Sequence, residues 1–463
     1  MYLEKFGWSF LANLMPLIIT PITLLVLTRY LSPEEFAVVA LVTVVIALLK
    51  ILKDGGLSQI VIQSKSTNTR NVLFTIQLII CIFLVVLIWI FAPYIAILIG
   101  NKEVEEPLRY ASLELLVLPI LEIPILASMR DLNFKPHFYR KTLVPILIGL
   151  FSIFFAANDY GYWAIIYGTL VGTYLSVAIM TFKSSWKLKL DFNFTKITPY
   201  LNFGGNLFLQ SILSWVMNSL DKAFLSNHND KASVGYYEVA SRVSYLPFSL
   251  ISVPTNQVLY PVMRKDKLKN NDIRKFYLIS SRLMAYAVLP ITCFILFYSE
   301  EIIRLILGEQ WLIVKDILPP FILVSLAATF VTINVEVYKA IDKTIVMTRF
   351  MLARVLITIP VYWFSAMSGL LHLAYARAIL AFLFSPINTL ILLRNSNIFL
   401  KDYLVSLRKP VLISMGLSVI FFIGESNIFD FNSFYMAIFF TLLVYLYILI
   451  KEFVPIIKKD VGT

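Results

Sequence analysis

A chain of 463 residues, 59% hydrophobic and only 15% charged, with a mean hydropathy of +0.80, is not an ordinary soluble domain, in which roughly a quarter of residues carry charge. A formal net charge of +12 would point to nucleic acid or anionic lipid in a soluble protein; here the question becomes where each cation stands relative to a bilayer. Cys81 and Cys293 each stand alone in an apolar run, which supports neither a disulfide framework nor a cysteine metal centre; both read as small buried hydrophobes.

The first element, within "MYLEKFGWSFLANLMPLIITPITLLVL", is too long for a signal-peptide core and is expected to remain as a span. With about twenty apolar residues per crossing, the sequence predicts an all-α polytopic membrane protein of about fourteen transmembrane helices. They fall at 8–28, 36–62, 72–99, 110–129, 142–157, 160–182, 199–221, 234–262, 276–299, 316–338, 346–364, 370–393, 410–424 and 433–454. Basic residues of short loops stay on the cytoplasmic side, so the alternate loops test this layout. Runs such as Arg130/Lys135/Arg140/Lys141, Lys183/Lys187/Lys189/Lys196 and Arg264 through Lys275 all fall on one side. The other side holds only Arg29, Lys102, Arg109, Lys222, Lys231, Arg304 and Lys315. Both termini are therefore expected in the cytoplasm.

Six cations remain inside spans: Lys50, Lys53, Arg242, Arg282, Arg354 and Arg377. Each costs roughly 2.5–3.5 kcal/mol at a helix centre on insertion scales, so each needs a partner or a wet cavity. Carboxylates in or near spans are Asp54, Glu114, Glu122, Asp221, Glu238 and Glu336. The spacing pairs Asp54 with Lys50 at i, i+4, and Glu114 reads as a solvated face near the outer surface. Glu122 follows Pro119 and has no basic residue within a turn, which makes it a candidate for ion coupling.

The chain also repeats. "FGWSFLANL" from Phe6 aligns with "FGGNLFLQS" from Phe203, "GLSQIVIQ" from Gly56 with "PTNQVLYP" from Pro254, and "ILIGN" from Ile97 with "LILGE" from Leu305. Six spans separate the copies, so both keep one membrane orientation, as in two lobes related by an axis along the membrane normal. The expected organisation is an N-lobe at 1–182, a cytoplasmic linker at 183–198, a C-lobe at 199–394, and two further helices with a cytoplasmic tail at 395–463. Two lobes meeting at a central site is a transporter's architecture.

Polar rows follow helical spacing. Glu238, Arg242, Tyr245, Ser249, Ser252 and Asn256 share a face of the eighth span; Asn206, Gln210, Ser214, Asn218 and Asp221 share one on the seventh; Ser325, Thr329, Thr332, Glu336 and Lys339 share one on the tenth. Such rows face protein or water, not acyl chains. Two readings of Glu238 and Arg242 stand side by side: a helical ion pair that glues helices, or a cationic cavity for an anionic substrate in which Glu238 keeps Arg242 poised and itself exchanges a proton. There is no G-x-x-x-x-G-K-[ST] run and no D-x-D pair; His137, His228 and His372 are scattered, and no outer loop exceeds roughly twenty residues, so catalysis has little to stand on. No cofactor, metal or nucleic-acid partner is expected.

The ordered stretches "FGWSFLANL", "LTRYLSPEEFA", "DGGLSQIVIQ", "RDLNFK", "YGYWAIIYGTL", "LDKAFLS" with "VGYYEVASRVSYLP", "VLYPVM" and "LGEQW" cover nearly the whole chain. In this order they resemble the polysaccharide transporter family of the multidrug/oligosaccharidyl-lipid/polysaccharide (MOP) superfamily, the Wzx-type O-antigen flippases and related exporters. The resemblance implies a two-lobed bundle in a bacterial cytoplasmic membrane that moves an undecaprenyl-pyrophosphate-linked oligosaccharide from the inner to the outer leaflet, with a proton or sodium gradient possible and a polysaccharide polymerase as a further partner. It places Asp221 and Lys222 in a recurrent Asp-Lys pair, puts Arg242 in a recurrent small-residue stretch, and gives Arg130 and Lys135 a cytoplasmic anchoring role. Lys50, Arg282, Arg354 and Arg377 come from the cation count within the spans and not from the resemblance; the expected substrate-binding set is Arg242, Arg354, Arg282, Arg377, Lys50, Lys53 and Lys222, with Asp221, Glu238, Glu122 and Glu336 as ion-coupling candidates and Asn206, Gln210, Asn218 and Asn256 as polar lining. A drug or organic-cation antiporter of the same superfamily would favour buried carboxylates over cations; a membrane glycosyltransferase or polymerase would need the large outer loop.

Overall fold

The computed structural model describes residues 2–63, 67–182, 189–194, 201–268, 273–425, 433–448 and 451; the expected linker and the C-terminal tail fall largely outside them. Among the described residues the protein is built of seventeen α-helices, and eleven helical stretches are long and apolar enough to cross a membrane. The polar α9 (Leu201–His228) and α10 (Lys231–Leu268) and the shorter α17 (Ser433–Ile448) lie outside that set of eleven.

Two expected spans are broken in the structure. The second divides into α2 (Pro33–Asp54) and α3 (Leu57–Gln63), because Gly55 and Gly56 take φ +50° and +83° and end the first helix in a left-handed turn. The fourth divides at Leu113 into α5 (Glu105–Ser112) and α6 (Glu114–Arg130). At its other end α2 starts with a capping box: the Glu35 N–H donates to Ser32 Oγ (3.3 Å) and the Ser32 N–H to Glu35 Oε2 (2.7 Å).

The chain separates into two compact units, Met1–Val239 with Thr348–Leu373, and Ala240–Met347 with Ala374–Thr463. In the first unit α1 (Tyr2–Leu27) packs on α7 (Lys135–Ala156), and α7 packs along α8 (Trp163–Phe182). Hydrocarbon offers no hydrophobic drive between helices, so close packing must supply the attraction. Gly168 and Gly172, a small-x-x-x-small pair, allow it: a Cβ on Gly172 would stand 2.5 Å from the Ile148 nitrogen, and one on Gly168 would stand 2.5 Å from the Ser152 nitrogen. α3, α4 (Thr67–Ile99) and α6 close around Ile60, Val61, Val72, Leu73 and Ile123, all buried.

In the second unit α11 (Ile273–Phe297) packs against α13 (Val314–Ala340), α16 (Leu400–Glu425) and α17. Tyr298, Leu417, Phe421 and Ala437 form the apolar centre of that end. Asn334 ties the helices together by polar contacts: it accepts from Tyr277 OH at 2.9 Å, and its amide nitrogen donates to Asn388 Oδ1 (2.9 Å) and Thr389 Oγ1 (3.0 Å) on α15 (Leu370–Asn395).

Candidate functional site

α9 and α10 are joined by a two-residue turn at Asn229–Asp230. Residues equally far from that turn meet, which brings Asp221 and Lys222 against Tyr237 and Glu238. Asp221 is wholly buried and accepts from Tyr237 OH at Oδ2 (2.8 Å) and from its neighbour's backbone, the Lys222 N–H, at Oδ1 (2.9 Å). Lys222 Nζ lies 2.6 Å from Oε2 of Glu238, and the two side chains are 15% and 6% exposed. The glutamate of the eighth span therefore has a cation across the hairpin. Arg242 on α10 and Arg354 on α14 (Thr344–Met367) are both partly buried and both engaged by neighbouring groups.

The polar row of α9 divides in two. Ser211, Ser214 and Asn218 are exposed, and a row that cannot face acyl chains must face water or headgroups. Asn218 donates to the Ser214 carbonyl (2.8 Å), while Gln210 turns to α14 and donates to Thr348 Oγ1 (2.7 Å). Trp215 fixes the helix to α2 by donating its indole N–H to the Val44 carbonyl (2.9 Å). The side chain of Asn206 lies outside the described residues. Asn256 is partly buried, with its Oδ1 enclosed.

A second charged group joins α2, α6 and α7. Lys50 pairs with Glu114 at 2.8 Å, not with Asp54, which accepts instead from Ser58. Glu114 is buried, not a solvated face, because α6 turns its first residue inward toward α2. Lys53, 3% exposed, pairs with Glu122, whose other oxygen accepts from Arg140 at 3.1 Å. Glu122 has no cation within a turn of its own helix, yet tertiary packing supplies two. Lys50 and Lys53, counted from sequence as cations in search of compensation, thus each have a carboxylate.

The second unit contributes Arg377, Arg282 and the Glu336–Lys339 pair. The guanidinium carbon of Arg377 stands 5.5 Å from the ring centroid of Phe321, a cation–π contact. Arg282 on α11 is partly buried; its Nε is enclosed without a hydrogen-bond partner, and it has no carboxylate partner among the described residues. Glu336 pairs with Lys339 at 2.8 Å, one turn along α13.

A family model for polysaccharide biosynthesis proteins matches residues 26–316, more than half of the chain. The protein belongs to that family. It is 21% identical over 390 residues to the teichuronic acid biosynthesis protein TuaB of Bacillus subtilis, covering 81% of this chain and 78% of that one. It is 20% identical over 310 residues to the succinoglycan biosynthesis transport protein ExoT of Rhizobium meliloti, covering 66% and 62%. Among solved structures, the lipid II flippase MurJ in an inward closed conformation aligns over 100% of both chains with a TM-score of 0.76 at 20% identity, so the two share a fold.

In this member of the polysaccharide biosynthesis family, then, the structure brings Asp221, Lys222 and Glu238, which the sequence singled out, together with Tyr237, which it did not, and gives Glu122 a partner in Arg140. Tyr237 could have been found by counting outward from the Asn-Asp turn, since it faces Asp221 by hairpin symmetry. Arg140 carried no such signal, because its partner Glu122 is brought to it by the packing of α6 and α7.

Proposed function

We propose that the protein is a flippase that moves a polyprenyl-pyrophosphate-linked oligosaccharide, a repeat unit of a surface polysaccharide, from the inner to the outer leaflet of a bacterial cytoplasmic membrane. Membership of the polysaccharide biosynthesis family carries this reading. It is supported by the polar outlay in the spans: the enclosed Asp221–Tyr237 and Lys222–Glu238 contacts, the open Ser211, Ser214 and Asn218, and the uncompensated Arg282. A partly buried arginine with no carboxylate partner among the described residues fits a site that receives an anion better than a purely structural bundle, because the anion then repays its desolvation.

In this reading Arg242, Arg354, Arg282 and Arg377 replace the hydration of a pyrophosphate, with Asn256, Gln210 and Asn218 offering hydrogen bonds to sugars. Asp221 and Glu238 sit where a change of protonation alters the charge beside Lys222 and couples transport to an ion gradient. Transport proceeds by alternating access, both termini remain in the cytoplasm, and a polymerase consumes the product outside. Lys50, Lys53, Glu122 and Glu336, each with a partner, are assigned to holding the helices.

The test is a deletion strain. Surface polysaccharide should be lost and the lipid-linked oligosaccharide should accumulate on the inner leaflet. Complementation with Arg242→Met or Arg354→Met should fail at normal membrane abundance. Full surface polysaccharide in both variants removes these arginines from the site; an unchanged pool of lipid-linked oligosaccharide in the deletion removes the function.

A further inference from the structure

The first two turns of α7, "KPHFYRK", carry Lys135, His137, Arg140 and Lys141. The charge asymmetry of the loops assigns this end of the helix to the cytoplasm. The nearby carboxylates are already engaged: Glu122 by Lys53 and Arg140, and Asp131 by a two-point contact from Arg130 (Nε to Oδ1 2.9 Å, Nη2 to Oδ2 3.0 Å). Lys141 is partly buried and has no carboxylate partner among the described residues. His137, a full turn before it on the same face, is also partly buried; its Nδ1 is enclosed without a hydrogen-bond partner among the described residues, and it stands in the field of Arg140 and Lys141.

Two further features bear on the same place. The Lys135 ammonium stands 5.6 Å from the ring centroid of Trp8 on α1, and Trp8 meets Phe138 edge-on at 5.0 Å. At the start of α7 the Lys135 N–H donates to Asn133 Oδ1 (3.3 Å), and the N-cap residue Phe134 adds no side-chain acceptor of its own to the positive end of the helix dipole. Positive-inside topology accounts for the basic run from Arg130 to Lys141; it does not explain why Lys141, six residues and about 9 Å along the helix from Lys135, is partly buried with no carboxylate among the described residues.

We propose that this end of α7 binds the phosphate of an anionic phospholipid of the inner leaflet. Lys141 and His137 contact the phosphate, Lys135 stands at the rim, and Trp8 and Phe138 lie beside the glycerol and the upper acyl chains. The aromatic walls favour a lipid over a free phosphate, and the site lies on α1 and α7 alone, apart from the Asp221–Glu238 group.

The experiment is retention of lipid by the purified full chain, read by native mass spectrometry from micelles supplemented with phosphatidylglycerol, phosphatidylcholine or undecaprenyl phosphate. Wild type should retain phosphatidylglycerol over phosphatidylcholine, Lys141→Met should weaken that retention about five-fold, the worth of one cation at an anionic lipid surface, and Lys141→Arg should preserve it. Should Lys141→Met not fold, His137→Leu and the wild-type comparison between the two phospholipids still decide the matter. Equal retention of the two phospholipids by wild type, or undiminished phosphatidylglycerol in the variants, overturns the proposal. Retention of undecaprenyl phosphate with indifference to phosphatidylglycerol overturns it in favour of substrate docking.

Discussion

Replacing Lys222 by methionine leaves the Glu238 carboxylate, 6% exposed, without the ammonium now 2.6 Å away. Removing one partner of a buried pair costs roughly 3–5 kcal/mol, because the remaining charge keeps its desolvation penalty; Glu238 keeps other contacts, so the lower end, about 3 kcal/mol, applies here. The double variant Lys222→Met/Glu238→Met removes both charges and should recover most of that loss, since apolar replacement of a whole buried pair is often neutral. The expected order of thermal stability in detergent is therefore wild type close to the double variant, with Lys222→Met well below both. A double-mutant cycle with Glu238→Met gives the coupling directly. Surface polysaccharide in a complemented deletion strain should be lost in the double variant even though it folds, if the charges serve transport and not only packing. A Lys222→Met protein as stable as wild type, or a double variant no better than Lys222→Met, would refute the idea that this contact is a desolvated ion pair.

Arg282→Met should be at least as stable as wild type, because a partly enclosed guanidinium without a carboxylate partner is removed, while transport in the complementation assay falls; lowered stability with retained transport would assign Arg282 a structural task. Gly172→Leu drives a side chain into the Ile148 backbone and should cost about 1–3 kcal/mol, seen as a lower melting temperature of the detergent-solubilised protein. Asn334→Leu removes three buried hydrogen bonds, from Tyr277 OH and to Asn388 Oδ1 and Thr389 Oγ1, at about 1 kcal/mol each, a larger loss than that of Trp215→Phe, which gives up one indole hydrogen bond to Val44; the same melting assay ranks the two.

The helices were legible because each crossing must bury about twenty apolar residues whatever its neighbours do. Where the expectation failed, at Gly55–Gly56 and Leu113, the break is a turn of one or two residues inside a stretch read as one crossing by its length; at the first, Asp54-Gly55-Gly56 was a helix-stop signal that span length overrode. Charges were less legible. Spacing along one helix proposed Lys50 with Asp54, while the structure pairs Lys50 with Glu114, 64 residues away; it also gives Glu238 a partner that spacing did not offer, Lys222 from across a turn. Glu122 appeared isolated for the same reason, since a helix of its own shows only the neighbours three and four residues distant.

By itself, then, the sequence determined that this chain is a helical membrane protein, its family likeness, and that carboxylates such as Asp221 and Glu238 stand on polar helix faces that must be sheltered from acyl chains. Hydropathy and the cost of charge in hydrocarbon act residue by residue, so they can be read in one dimension. Only the tertiary structure decided which cations are neutralised: Lys50 and Lys53 by carboxylates from α6, Arg282 by none among the described residues. Coulomb attraction falls with distance through space, not along the chain, and helix packing sets that distance.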